Sequence, residues 1–305
     1  MRTRCMSVKI GLSTYSLVNL IRNEEMSIFD AIEWIAQSGF EHVEIVPFGF
    51  PLENNPQMAD SIREHAQKSG IPISNYSILA DFLKNSPEAY EQEIERVLRE
   101  VDIANRLGTK LMRHDISAFR RPFEQNSIIQ FEKDMLKMVE ACRRIADYAS
   151  QYGITTTVEN HGFYVNGGDR IERLIHEVNR PNYKSTLDVG NFWCMDEAPI
   201  VGVKKVIPYA AIIHLKDFYF RTARNFPGKG TMFLCNSGNW FKTITGNFLR
   251  GAIVGEGDID MWEVLRVVKD YGYNGYITIE FEGLEDCRIG SLQGLKNTRF
   301  ILDNL

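Results

Sequence analysis

The feature that most constrains this chain is an alternation: a short β-rich run, then an amphipathic helical run, repeated about eight times. Strands joined through helices lie parallel, and their crossovers are right-handed. The first strand reads Val8-Lys9-Ile10-Gly11-Leu12-Ser13-Thr14-Tyr15. In the helix after it, Ile28, Ile32 and Ile35 recur at helical spacing, Ser27 reads as the N-cap and Gly39 as the stop. Further strands are expected over 42–47, 71–79, 110–115, 154–160, 184–189, 211–217 and 276–281. The helices between and after them are expected over 58–68, 89–107, 127–152, 169–179, 201–207, 261–271 and 292–305. Eight such units predict an α/β fold, a (β/α)8 TIM barrel, as one domain over 1–305; that length suits the fold. Closure removes both sheet edges. The rival, an open doubly wound sheet, carries a Gly-rich phosphate turn after its first strand. This chain has Ser13-Thr14-Tyr15-Ser16 there.

One stretch breaks the rhythm. Between strand 7 and helix 7, residues 218–260 take the place of a loop of a few residues. The segment holds seven glycines, Phe226-Pro227-Gly228 and the aromatics Phe233, Trp240, Phe241 and Phe248. A long insertion this rich in apolar residues reads as a folded lid or an interface rather than a free linker, and an interface would make the protein a homo-oligomer.

Composition excludes several classes. The net charge of −5 gives no basic balance to draw the chain to nucleic acid or an anionic membrane. No run approaches the length of an apolar membrane span. The start of the chain has Arg2, Arg4 and Lys9 but no apolar stretch after them, so no signal peptide is expected. Cys5, Cys142, Cys194, Cys235 and Cys287 are far apart and odd in number, which predicts reduced thiols. Together these features predict a cytoplasmic protein.

The active site of a TIM barrel lies at the C-terminal ends of its strands. The last four strands end in Thr157-Val158-Glu159-Asn160-His161, Thr186-Leu187-Asp188-Val189-Gly190-Asn191, Ile212-Ile213-His214-Leu215-Lys216-Asp217 and Thr278-Ile279-Glu280-Phe281-Glu282. Each apolar run thus delivers one metal-competent side chain: Glu159, Asp188, His214 and Glu280. Taken singly, a strand-end Glu is a solvated rim residue, a lone His a structural one, and Asp188 a turn cap. Four on consecutive strands form a pattern. Three carboxylates converging in a low dielectric repel one another unless a cation joins them. One divalent ion, Mn²⁺, Mg²⁺, Co²⁺ or Zn²⁺, suits such a donor set.

With Glu159-Asn160-His161-Gly162, Leu187-Asp188-Val189-Gly190-Asn191, Ile213-His214-Leu215-Lys216-Asp217, Gly255-Glu256-Gly257-Asp258-Ile259-Asp260 and Ile279-Glu280, the chain resembles the sugar phosphate isomerase/epimerase superfamily of xylose-isomerase-like barrels. Tagatose/psicose epimerases, hydroxypyruvate isomerases, inosose dehydratases and AP endonucleases belong to it. The resemblance spans nearly the whole chain. It implies Glu159, Asp188, His214 and Glu280 as metal ligands, with Glu159 and Glu280 also the catalytic acid/base pair. It further implies a small sugar or keto-sugar substrate, free or phosphorylated. Proton abstraction beside its carbonyl would give a metal-stabilised enediolate, leading to isomerisation or epimerisation.

Several residues are expected around this core as substrate contacts. His161 shares a face with Glu159, and His114 closes the fourth strand. Asn191 stands where related epimerases carry His. Lys216 shares a face with His214 and can neutralise an oxyanion. Arg221 and Arg224 sit where those epimerases place a substrate-binding Arg, suited to a phosphate or carboxylate. Glu256, between two glycines, is carried on the insertion. Tyr15, Phe48 and Trp193 can form an apolar wall. Three other outcomes stay open: dehydration of an inosose-like substrate, a silent sugar-binding barrel, and an AP endonuclease. The last is disfavoured by the acidic charge and by the lack of an Asp-x-His-x-His cluster.

Overall fold

A computed structural model describes residues 8–53, 55–225 and 240–305. Eight parallel strands close into a barrel in the order β1-β11-β7-β6-β5-β4-β3-β2. They are β1 (Lys9–Ser13), β2 (Val43–Ile45), β3 (Ile73–Ile78), β4 (Leu111–His114), β5 (Thr155–Glu159), β6 (Tyr183–Asp188), β7 (Ala210–Leu215) and β11 (Tyr276–Ile279). Helices α2 (Ile28–Gln37), α3 (Pro56–Lys68), α4 (Pro87–Leu107), α5 (Ile128–Ser150), α6 (Gly168–Val178), α7 (Pro199–Val206), α8 (Met261–Tyr271) and α9 (Cys287–Asp303) form the outer ring. The first crossover is more complex than expected: a 3-10 turn (Thr14–Leu17) and a short α1 (Val18–Arg22) precede α2. The expected last helix begins five residues early, because Asp286 caps it by accepting from the Arg288 and Ile289 amides. Ser27 does cap α2, in a reciprocal box with Asp30.

Two cores follow from the strand period. Outward residues such as Leu12, Val43, Val158, Leu187 and Ile213 are fully buried against the helices. Inward residues are largely polar: Ser13, Glu44, Asn75, Arg113, Thr157, Glu159, Thr186, Asp188, His214, Thr278 and Glu280. Toward the N-terminal end of the strands, His42 fills the barrel. Its Nε2 lies 3.2 Å from the Lys9 carbonyl and 3.1 Å from that of Ile277. Gly11 makes room for it. A Cβ there would stand 2.2 Å from the ring and 2.4 Å from the His42 carbonyl oxygen. The backbone clash has no rotamer escape, so Gly11→Ala is expected to cost at least the ~1–3 kcal/mol of an overpacked core. A denaturant titration checks this; unchanged stability would contradict the account of the barrel floor.

The described part of the insertion is a folded antiparallel sheet, in the order β8-β10-β9, of β8 (Asp217–Arg221), β9 (Phe241–Lys242) and β10 (Phe248–Ala252). Phe218, Phe241 and Leu249 pack from it onto Phe163 and Cys194. Phe226, Pro227, Gly228 and Phe233 lie outside the described residues, as do Cys5 and Cys235. Cys142 and Cys287 are free thiols. No helix among the described residues is long and apolar enough to cross a membrane.

Candidate metal centre

Glu159, Asp188, His214 and Glu280 meet inside the barrel mouth. Each is buried, and each offers one ligating atom such that all four atoms lie within 4.8 Å of one another. The strands deliver them by parity and register: Asp188 pairs with His214 across β6 and β7, and Thr278, two residues before Glu280, pairs with His214 across β7 and β11.

Three of the four ligand candidates are held from behind. Asp188 Oδ1 accepts from the Gly190 and Asn191 amides, at 2.8 Å each. Asn160 bridges the tips of β5 and β6, donating to the Asp188 carbonyl and accepting from its amide. Asn191 Nδ2 donates to Glu159 Oε1 at 2.9 Å, and Arg113 Nε lies 2.7 Å from Glu159 Oε2. His214 Nε2 lies 2.9 Å from Glu44 Oε2 on the far side of the barrel. Ser13 Oγ and Asn75 Nδ2 donate to the same Glu44 carboxylate, at 2.8 and 2.7 Å.

Among the four ligand candidates, Asp188 Oδ2 and His214 Nδ1 are buried without a hydrogen-bond partner; Arg113 Nε and Asn75 Oδ1 behind them are too. Buried polar atoms are rarely left so, and a ligand position is one standing explanation. A carboxylate-backed imidazole with its second nitrogen bare is also the usual arrangement behind a metal-bound histidine. The donor set, oxygen-rich with one imidazole, fits a hard or borderline dication.

The electrostatics agree. Burial raises the Asp188 carboxyl to about 7, with Glu159 and Glu280 pushing the same way and Lys216 opposing them. Burial also raises Glu280, but Lys216 and His214 outweigh it and hold it at about 2. His214 would be lowered by burial; Glu44 and Glu280 carry it instead to about 10. Lys216 Nζ sits 2.9 Å from Glu280 Oε2, 3.4 Å from Asp188 Oδ2 and 3.6 Å from Glu282 Oε1. A dication there would take over the role of the His214 proton.

The centre opens into a cavity of about 610 Å³. Of the expected substrate contacts, His161, Asn191 and Lys216 line it. His161 Nδ1 lies 3.0 Å from Asp115 Oδ2; burial lowers this imidazole, but Asp115 outweighs burial and raises it. Arg113 ties the pair in, 2.8 Å from Asp115. Tyr15 and Phe48 line the cavity as expected, whereas Trp193 packs on Phe220.

Four expected contacts lie elsewhere. His114 has the wrong parity: it faces the helices, against Phe82 and Tyr183, and Arg113 takes the inward place. Arg221 is exposed and paired with Asp258, and Arg224 is exposed on the turn after β8. Glu256 is turned away because Asp217 fastens its loop. The Asp217 carboxylate accepts from the Gly255, Gly257, Ile259 and Phe218 amides, and Glu256 reaches only Asn297 on α9. Sequence reasoning missed Glu44, Arg113, Asp115 and Glu282. Glu44 and Arg113 carried a signal: a charged residue inside a short apolar strand needs a buried partner.

The sequence pattern of the xylose isomerase-like TIM barrel family matches residues 32–298. The chain belongs to this family. Among its relatives is an inosose dehydratase of Bacillus velezensis, 24% identical over 255 residues that cover 81% of this chain and 79% of that protein. The D-psicose 3-epimerase of Clostridium cellulolyticum H10, solved with D-tagatose, superposes with a TM-score of 0.70 at 16% identity, over 97% of this chain and 99% of its own. The IOLI protein, solved with a bound zinc atom, superposes with a TM-score of 0.71 at 18% identity, over 97% and 99%. At these identities the structural likeness speaks for the fold alone. The family itself holds epimerases and dehydratases, and neighbours in it bind zinc or magnesium.

Proposed function

We propose that the chain is a divalent-metal-dependent enzyme that moves the proton beside the carbonyl of a small keto-sugar, as an isomerase or epimerase. The observation that carries this is the convergence of Glu159, Asp188, His214 and Glu280, with Asp188 Oδ2 and His214 Nδ1 buried in it without a hydrogen-bond partner. When bound, a divalent ion would supply Lewis-acid stabilisation to the carbonyl and hydroxyl oxygens of the substrate.

The side chains do the rest. One of Glu159 and Glu280 takes the proton from the hydroxyl-bearing carbon, and the C–H electron pair becomes the double bond of an enediolate. The other returns a proton. Delivery to the opposite face of the same carbon gives the epimer; delivery to the neighbouring carbon gives the aldose/ketose isomer. Lys216 balances charge growing on oxygen. Lys216 and Arg113 are both already paired with carboxylates, which favours a neutral sugar over a phosphorylated one.

A second reading is favoured by the His161–Asp115 pair. An imidazole that lines the cavity and is held by a carboxylate can hand its proton to a β-hydroxyl, so that the enediolate electrons expel it as water. The inosose dehydratase relative gives this dehydratase alternative weight.

The test is metal analysis of the purified protein, then incubation with ketoses and inososes in deuterated water. Exchange at the carbon beside the carbonyl is expected. Stripping the metal should slow it by at least about 10³-fold, with recovery on adding Mn²⁺, Mg²⁺, Co²⁺ or Zn²⁺. Release of water with an enone product would select the dehydratase reading. A folded protein that takes up no divalent ion would end both.

A further inference from the structure

Resting on that reading, the two halves of the cavity narrow the substrate class. A volume of about 610 Å³ exceeds what one sugar ring fills and falls in the range of roughly 300–1,000 Å³ that takes drug-sized ligands. The adjacent strands β5, β6, β7 and β11 bring Glu159, His161, Asn191, Lys216 and Glu280 to the lining. The adjacent strands β2, β3 and β4 bring Phe48, Leu79 and Phe119 to the lining, with the Arg22 guanidinium 5.1 Å over the Phe48 ring and Phe119 4.9 Å from the His161 ring; Phe218 and Phe241 join them from the insertion sheet. These apolar side chains arrive on separate segments, after β2, β3 and β4 and from the insertion sheet, so one helix or strand face does not explain their convergence. Leu79 is 47% exposed at the tip of β3, where core packing gives no reason for a leucine.

A free monosaccharide carries hydroxyls around its ring. Its C–H face can rest on one ring, but hydroxyls turned into three apolar side chains would lose water without gaining partners there. A flat apolar group has no such cost and packs well against aromatic edges and faces. We infer that the substrate is a sugar bearing an aryl substituent, with the sugar on the metal centre and the aryl group on the Phe48–Leu79–Phe119 wall. For an aryl glycoside the chemistry fixes the carbonyl. A substituent at the anomeric carbon closes the ring and removes the open-chain carbonyl. The ketone must therefore be a ring carbon, and the enediolate forms between it and the adjacent hydroxylated carbon.

The test uses the metal-loaded, full-length protein and three probes: the phenyl and methyl glycosides of 3-keto-glucose, and fructose. Solvent deuterium exchange is followed by NMR, and binding by calorimetry. The phenyl glycoside is expected to exceed the methyl glycoside by about 10- to 100-fold in kcat/KM, carried mainly by KM. Leu79→Ser, a surface change that leaves packing alone, should shrink the phenyl-to-methyl ratio several-fold, as should Phe119→Ala. Equal rates on the two glycosides, or a preference for fructose, overturn the aryl assignment and leave the proton-transfer reading standing. No exchange on any probe overturns the proton-transfer reading. In that case tighter binding of the phenyl glycoside still supports the wall, and equal binding of all three removes both.

Discussion

Glu159→Gln and Glu280→Gln should each lower proton exchange by about 10³- to 10⁴-fold in protein that still folds. Glutamine keeps the shape of the side chain and removes its charge and its basicity. Each position has partners that tolerate the swap in part: Asn191 and Arg113 at Glu159, Lys216 at Glu280. The fold should therefore survive, and a matching circular dichroism spectrum checks this. The two variants need metal analysis beside the rate, because a lost ligand and a lost base both slow turnover. Near-stoichiometric metal with little exchange assigns the loss to proton handling; little metal assigns it to coordination. Asp188→Asn is the control, since Asp188 is a buried member of the cluster with Oδ1 already taken by two amides. Its loss should follow metal content alone. Near-normal exchange in both glutamine variants would exclude the two-carboxylate scheme.

The parts of this site that were legible in the sequence share one property: they end strands whose apolar runs are long enough to set the pleat. Thr157-Val158-Glu159 and Ile277-Thr278-Ile279-Glu280 alternate cleanly, so the inward face could be read off directly. The fourth strand, Leu111–His114, offers two polar residues side by side, and its reading chose His114 on chemistry where parity favours Arg113. Glu44 lies on a strand of three residues, too short for alternation to show, and its partner His214 is far away in sequence. The barrel order brings them together, and no local pattern records that. Glu256 failed for another reason. Its Gly-Glu-Gly setting marks a tight loop, but the direction of that loop is set by Asp217, whose carboxylate gathers four amides. Arg221 was lost to Asp258 in the same way, through a pairing made possible only when the insertion folds into a sheet.

Removal of the Glu44 carboxylate should weaken metal binding by about 10- to 100-fold without touching a ligand. Glu44 is fully buried, and His214 Nε2 is its neighbour at 2.9 Å. With the proton held on Nε2 by a carboxylate, a bound ion would find the Nδ1 lone pair on the side of Asp188, Glu159 and Glu280. In Glu44→Ala the imidazole loses that anchor and can adopt the other tautomer, which presents a proton where a lone pair is needed. Glu44→Gln can still accept from Nε2 through its amide oxygen, so its loss should be smaller. The measurement is the dissociation constant for Mn²⁺ or Zn²⁺ by chelator competition, with the visible spectrum of the Co²⁺-loaded protein reporting ligand geometry. Glu44→Ala also leaves the Ser13 hydroxyl and the Asn75 amide without their acceptor, so some loss of stability is expected. Ser13→Ala separates the two effects: it deletes one of these hydrogen bonds and leaves the Glu44–His214 contact in place. It should lower stability with little change in metal affinity. If Glu44→Ala binds metal as the wild type does, or Ser13→Ala weakens binding equally, the carboxylate is a packing element and His214 is oriented by something else.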